Sequence, residues 1–543
     1  MEKENASAPV SGRRYGGWIS VTGGVLLFFF LLVFGGEWWL EGKIRRVLTD
    51  GESGIARGYL TEVGRVDVSL LGRKVALRDL SVRSAAEDTA VRTSIDAKVG
   101  KVMVAGVGFK RKGGKYSVNV RRLELLSPHI TVGNNRTDGR PEKDSAASLS
   151  SRITGVVSSL TVNDIRIEEG QVSYLHRRDG KETEFTGRSL NLGIADFRID
   201  SLSAENLFRH SGIKLLLNNF SLRMDDKVLV LGIDSIGIDS KSGTLSVASV
   251  SLLPGISKYD YAANVAGHPD WTQLTADGIA CFGLDYDGLI FGKKLIADSI
   301  VVDKADIQSY KNRQVAQTPE TKGLVWKSVQ ELPLRVDIPV IRIGNTDIAY
   351  EELSKTGTSP GLVTMKDVSG KFLGLTNIAK EGNPHFTLDV TGMLYGKAHL
   401  ETSFRFPLDP ADDHVVVDGS MGPMELSEMN RMIMPLVHIE LKSGTMNGIS
   451  FHLEGTSMGS HSTVEFLYKG LEVFLVREEG GETVERKFLS EIIKDFVVKA
   501  DNPDGRGTRA GTGTFERDPY KSQYNYLWKS IFEGAKDVVL RTR

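Results

Sequence analysis

The amino-acid sequence predicts a mainly β protein: an N-terminal single transmembrane helix, then a long, twisted, largely antiparallel β-sheet, an open groove or taco in section, with a few short helices and a C-terminal amphipathic helix. Three observations predict this. One uncharged apolar run stands near the start, period-two alternation fills most of the remainder, and glycine is frequent (58 of 543 residues) where proline is not (16). Hydrophobic residues at 40% and charged residues at 25% are the proportions of a folded chain, which excludes bulk disorder and a polytopic membrane protein. Lys plus Arg at 68 against Asp plus Glu at 69 leaves a net charge of −1, so no nucleic acid is expected as partner, because that partner requires a basic face.

The anchor comes first. Residues 15–36 carry no charge, and Val25, Phe28, Phe29, Phe30, Leu31 and Phe34 belong to an unbroken apolar centre. Roughly 20 helical residues at about 1.5 Å each cover a hydrocarbon core of ~30 Å, so residues 15–40 are expected to cross a bilayer once. Trp18 at one end and Trp38 and Trp39 at the other fall where indole rings favour the interface. Arg13 and Arg14 abut the run and Glu37 and Glu41 follow it, which places residues 1–14 in the cytoplasm, although Lys43, Arg45 and Arg46 dilute the asymmetry. A cleaved signal peptide fits less well, since the run is long for one and ends without an A-x-A-like site.

Beyond a short amphipathic stretch at Trp39–Leu48 the period becomes two. Residues 41–420 read as a repetitive β-domain and residues 421–543 as a C-terminal β region ending in a helix. Four segments share a finer spacing, apolar residues at steps of two, three, two and two: Leu123, Leu125, Pro128, Ile130, Val132; Ile165, Ile167, Gly170, Val172, Tyr174; Ile300, Val302, Ala305, Ile307, Ser309; and Ile341, Ile343, Thr346, Ile348, Tyr350. A step of three moves the side chain to the other face unless the chain kinks or bulges there, so each unit is expected to be two strand pieces joined by a kink. Helices are expected at Ala146–Val157, Ala204–His210, Gly323–Leu332, Met424–Met434, Arg486–Phe496 and Ser522–Val539, too few to cover the sheet as crossover helices would. Loops are expected at Asn134–Ser145, Ala316–Thr321, Lys355–Gly361 and Ala500–Gly513.

Few residues invite catalysis, and no catalytic residue is assigned. Residues 357–361 and 455–459 match G-x-S-x-G, but a nucleophile elbow needs a strand-to-helix turn, whereas Ser359 sits beside proline in a polar loop and Ser457 lies between strands. The ten histidines are scattered without an HExxH or Cys/His cluster, so neither metal nor cofactor is expected. The lone Cys281 reads as a small buried thiol. The basic tip Lys110–Lys115 lacks the Walker A order, and Asp234, Asp239, Asp285 and Asp287 read as the wet side of strands. In the tail, Leu527, Trp528, Ile531 and Phe532 share one helical face with Ala535, Val538 and Val539, a stripe that either closes the open end of the sheet or docks on a membrane or partner.

Several stretches together resemble the AsmA-like proteins of Gram-negative envelopes. Residues 66–82 (VDVSLLGRKVALRDLSV) follow a strand, glycine turn, strand pattern, and 123–132 (LELLSPHITV) a strand, proline, strand unit. The C-terminal third is similar in ELSEMNRMIMP (425–435) and its following strands, in Asn502-Pro503, in FERD (515–518) and in NYLWKSI (525–531); between 179 and 287 the likeness is one of style. The resemblance implies a single-pass inner-membrane protein with its bulk in the periplasm, an apolar concave sheet face, a role in phospholipid movement and outer-membrane assembly, and no catalytic residues.

Alternating strands with few helices leave an apolar face that acyl chains are able to cover. Exposing a lipid to water costs ~0.8 kcal/mol per CH₂, roughly 25 kcal/mol for two long chains, and a greasy trough removes most of that cost without chemistry. The lining is expected to include Ile165, Ile167, Val172, Ile300, Val302, Ile307, Ile341, Ile343 and Ile348, with phospholipid or another acyl-chain lipid as ligand. A second reading is a non-transporting envelope scaffold acting through protein partners.

Overall fold

A computed structural model describes residues 59–69, 72–84, 93–112, 115–134, 159–178, 181–200, 212–224, 229–265, 270–315, 321–378, 385–409, 413–479, 482–487 and 496–542. The expected anchor, including Trp18, Val25, Phe28, Phe29, Phe30, Leu31, Phe34, Trp38 and Trp39, lies outside these residues, as do the candidate helices at 146–157 and 204–210. Among the described residues no helix is long and apolar enough to cross a membrane. The chain is mainly β and divides into two compact units, residues 1–226 with 239–241, and 227–238 with 242–543.

In the first unit the strands are β1 (Tyr59–Ser69), β2 (Lys74–Ser84), β3 (Thr93–Lys112), β4 (Lys115–Asn134), β5 (Ser159–Arg178), β6 (Lys181–Asp200) and β7 (Gly212–Met224). Each pairs with the next, antiparallel except for the parallel pair β4–β5. Strands of 20 residues far exceed the usual five or six, and they carry a kink at a common level. Gly64 lies opposite Asp79, Asp79 opposite Gly100, Gly100 opposite Ser127, and Ser127 opposite Glu169, as the register on either side of each fixes. Asp79, Ser127 and Glu169 adopt positive φ (53°, 48° and 54°), as do Ser189 in β6 and Asn219 in β7 (55° and 52°). Left-handed backbone is unfavourable for a residue with a Cβ, and the short polar side chains of Asp and Asn tolerate it best.

This crease explains the steps of three. Val75 and Leu77 precede it in β2 and Leu80 and Val82 follow it, yet all four point into one core with Val102, Val104, Val120, Leu123, Leu160 and Val162. The sheet folds over along the crease, and residues from both sides of it fill the fold at under a tenth of their exposure.

The second unit contains β8 (Leu229–Asp239), β9 (Thr244–Pro254), helix α1 (Lys258–Asn264), β10 (Asp270–Phe282), α2 (Tyr286–Phe291), β11 (Lys294–Ile296), β12 (Ser299–Asn312), α3 (Val325–Gln330), β13 (Arg335–Leu353), β14 (Gly361–Thr376), β15 (His385–Leu394), β16 (Ala398–Pro407), β17 (Val415–Met421), β18 (Met424–Glu425), α4 (Asn430–Val437), β19 (Ile439–Gly455), β20 (Gly459–Glu479), β21 (Glu482–Lys487), β22 (Phe496–Val498), β23 (Ala510–Glu516), α5 (Gln523–Val539) and β24 (Leu540–Thr542). Hydrogen-bonded neighbours run β9, β10, β12, β13, β14, β15, β16, β17, β19, β20, β23. Here too the sheet is mixed: β11 and β12 both run parallel to β13, which requires the crossover at 313–334.

The helices at Gly323–Leu332 and Ser522–Val539 are present as α3 and α5, with Ser522 capping α5 by accepting from Asn525 N. Met424–Met434 is only partly helical, starting as strand β18 and a 3-10 turn before α4. Of the helix expected at Arg486–Phe496, Arg486 and Lys487 close β21, Phe496 begins β22, and residues 488–495 lie outside the described residues. Residues 510–513 are strand rather than loop and pair with β20. The sequence reading missed α1 and α2, both under two turns long; Asp285 is the N-cap of α2 and Asp287 lies in its first turn, not on a strand.

Candidate functional site

Four rows of side chains cross five strands of the second unit on one face, in the order β9, β10, β12, β13, β14. They are Leu245, Cys281, Ile300, Ile341, Phe372; Val247, Ile279, Val302, Ile343, Gly370; Val250, Ala276, Ala305, Thr346, Val368; and Leu252, Leu274, Ile307, Ile348, Met365. β9, β10, β12 and β13 supply them with a step of two, three, two, the three falling at a second crease, and β14 takes its step of three one row later, between Val368 and Met365, where its register with β13 shifts. At this crease Gly278 (φ +65°) lies opposite Asp303, whose carboxylate occupies the space a Cβ would need, and Asn345 and Asp367 take positive φ. The two sequence units β12 and β13 pair with their repeats in step, Ile300 to Ile341, Val302 to Ile343 and Ile307 to Ile348.

The third row is a floor. Ala276, Ala305, Thr346 and Val368 are buried, whereas the larger residues of the rows on either side are half-buried, Cys281 apart. Small side chains at the crease and branched ones on the flanks make the face concave. Seven residue steps along a strand and four strand spacings across give about 23 Å by ~19 Å, on the order of 400 Å², an apolar area comparable to the largest patch a monomer usually exposes. Behind these rows the reverse face is wet, with Lys304, Gln308, Arg342, Asn345 and Lys371 exposed and Lys366 paired with Asp347 at 2.7 Å, until α1 covers Trp271 and Tyr310 farther along β10 and β12. The hydrogen bond between Lys366 and Asp347 raises the lysine pKa and lowers the carboxylate's.

Six of the nine residues expected from the sequence, Ile300, Val302, Ile307, Ile341, Ile343 and Ile348, are thus brought onto one face. Ile165, Ile167 and Val172 belong to the first unit, where Leu123, Leu125 and Ile130 pair with them on one side and Ile194, Leu192 and Gly187 on the other. All nine are half-buried. A Cβ at Gly187 would meet Leu217 Cδ1 at 2.9 Å and Val172 at 3.3 Å, so glycine there lets neighbouring side chains lie flat. β9 and β10 were missed in the sequence because Ala276 and Cys281 dilute an otherwise identical spacing.

Toward the C-terminus the same face is closed. The row of Phe372 continues through Leu388, Phe404, Val417 and Leu453, and the row beside it through Phe386, Phe406 and Val415. Helix α3, inside the β12–β13 crossover, lays Trp326 on Phe406 with ring centroids 5.9 Å apart, and Leu527 and Ile531 of α5 pack on the same cluster. Polar ties hold this cover: Gln523 Oε1 accepts from Val325 N at 2.7 Å, Lys327 pairs with Asp413 at 3.2 Å, and Arg517 donates to the carbonyl of Lys322.

The tail stripe is therefore split. Leu527 and Ile531 face the core with Tyr526, Ser530, Gly534 and Val538, while Trp528 and Phe532 lie on the exposed side with Tyr524. Gly534 and Ser530 allow this rotation, because α5 presses so closely on β20 and β23 that a Cβ at Gly534 would meet Val464 at 2.5 Å.

The nucleophile candidates have structural settings. Ser457 Oγ donates to Asp413 Oδ2 at 2.5 Å and its amide donates to the same oxygen at 2.8 Å, which fixes a tight turn between β19 and β20. Ser359 is exposed in the loop before β14. Burial pushes the Cys281 thiol up, away from the thiolate a nucleophile needs. Among the described residues no three His, Cys, Asp or Glu side chains are grouped to hold a metal. No protein-family model matches the chain, and no curated protein matches it.

Proposed function

We propose that the chain is a membrane-tethered, non-enzymatic lipid-binding protein, with the acyl part of a phospholipid or similar lipid lying on the creased face of β9–β14, as its AsmA-like features imply for an inner-membrane protein of the cell envelope. The observation that carries this reading is the floor of small buried residues flanked by half-buried branched ones, continuous over five strands, with α2 packing at its Ile300 and Leu245 edge, α4 over Gly361 of β14, and the full cover of α3 and α5 beginning beyond β14. Apolar area of that size is stabilised by removal from water at about 25 cal/mol per Å², and hydrocarbon supplies that removal without directional chemistry. The closed C-terminal end favours holding a lipid over passing it straight along this unit.

The test replaces Ile300 and Ile341 by Asp, singly and together, in the full chain purified in detergent. Retained thermal unfolding with loss of co-purifying phospholipid supports the reading. Loss of the folded state in both single variants overturns it in favour of a closed structural sheet, the setting of a scaffold acting through protein partners.

A further inference from the structure

The two lips of the groove differ in chemistry. Beyond the row of Leu245, Cys281, Ile300 and Ile341, the surface stays apolar, with Leu284, Tyr286 and Ala297 buried against Cys281. Beyond the row of Leu274, Ile307 and Ile348 the next inward positions are Thr272, Ser309 and Tyr350, and the next again Asp270, Lys311 and Glu352. A band of hydroxyls is thus followed by a band of charges on the same face. Thr272 Oγ1 and Ser309 Oγ are 3.3 Å apart, Lys311 pairs with Asp270 at 2.9 Å, and Tyr350 donates to Glu352 Oε2 at 2.5 Å.

Arg313 completes the lip. Its Nε stands 2.6 Å from Glu352 Oε1 in an ion pair, without the geometry of a hydrogen bond, and Glu352 is only 5% exposed, so the guanidinium sits against a buried carboxylate along one edge. Its two terminal nitrogens make no hydrogen bond with a described residue, and the side chain is 37% exposed. An arginine ion-paired along its Nε edge, with the terminal nitrogens making no hydrogen bond, is arranged for bidentate binding of an oxyanion.

We infer that this lip binds the phosphate of a phosphodiester head group, Arg313 forking two of its oxygens with Lys311 and Ser309 as further donors, while the acyl chains lie on the apolar floor. The inference rests on the lipid-binding reading above and gives it a direction: the head projects over the β10, β12, β13 lip and not over the opposite one. Asp270 and Glu352 together balance Lys311 and Arg313, so a phosphate dianion meets about twice the repulsion from the two carboxylates that a singly charged diester does.

The experiment compares, on the full chain, displacement of a fluorescent acyl probe by palmitoyl lysophosphatidylglycerol, by monopalmitoylglycerol and by glycerol 3-phosphate. The first is expected to displace the probe at least tenfold more tightly than the second, and the third not at all. In Arg313→Gln paired with Glu352→Gln, which leaves no buried carboxylate unpaired, the preference should fall to near unity while monopalmitoylglycerol binds as before; Arg313→Lys should restore part of it. An unchanged preference in the double variant overturns the inference, as does competition by glycerol 3-phosphate, which would mark a free-phosphate site. Displacement by neither lipid overturns the groove reading itself.

Discussion

Ala305 and Thr346 face each other in register across the parallel pair β12–β13, both buried, with half-buried Val302 and Ile343 on one side and Ile307 and Ile348 on the other. Their small size sets the depth of the floor. A phenylalanine at 305 fills that depth from within: Ala305→Phe is expected to lower affinity for a palmitoyl ligand at least tenfold. Overpacking there costs about 1–3 kcal/mol, because the enlarged side chain has open space above it. Equal binding by the variant and the parent protein in a probe-displacement titration would falsify a floor at this row.

The exposed and packed sides of α5 should separate cleanly in urea unfolding. Trp528→Ala and Phe532→Ala remove side chains that are 40% exposed and should each change stability by under about 1 kcal/mol, despite their size. Leu527→Ala and Ile531→Ala, which face the Phe386 and Phe406 cluster, should cost roughly 2–4 kcal/mol. The reverse order would return Trp528 and Phe532 to the core, as the sequence stripe alone suggested.

That stripe shows where sequence reading runs out. Leu527, Trp528, Ile531 and Phe532 are a single apolar face by spacing, and spacing does not register that Gly534 and Ser530 permit a closer approach than any of them. The creases were legible, since a step of three within a period-two strand at Ile167–Gly170, Val302–Ala305 and Ile343–Thr346 has few other solutions. The parallel pairing of those units was not legible, because it depends on crossovers whose lengths fix no direction. Neither was the cover: Trp326 stacks on Phe406 from 80 residues away, and nothing local to either residue signals it.

Trp326 itself offers a stability test. It is 1% exposed, and its indole nitrogen finds no partner among the described residues. Trp326→Ala should cost about 3–5 kcal/mol as a cavity in the α3 cover. Trp326→Phe should cost clearly less, since it keeps most of the ring contact and removes an unpaired buried donor that costs ~1–3 kcal/mol. Chemical denaturation of the two variants side by side decides it: equal losses would mean that the nitrogen is satisfied in solution.

On the wet face, His452 Nδ1 lies 2.7 Å from Asp418 Oδ1 and its Nε2 3.5 Å from Glu454. The hydrogen bond to Asp418 is the main cause of an imidazole pKa raised above the usual 6.5. A folded pKa above the unfolded one means that the charged ring stabilises the fold fully below about pH 6.5 and that this contribution disappears as pH rises through the raised value. The pair is half exposed and screened by salt, so the effect is small. Melting temperatures of the parent protein and of His452→Gln should therefore differ most near pH 5.5, converge by about pH 8.5 and differ less in high salt. A gap that widens with rising pH would show instead that the neutral ring is the form the fold prefers.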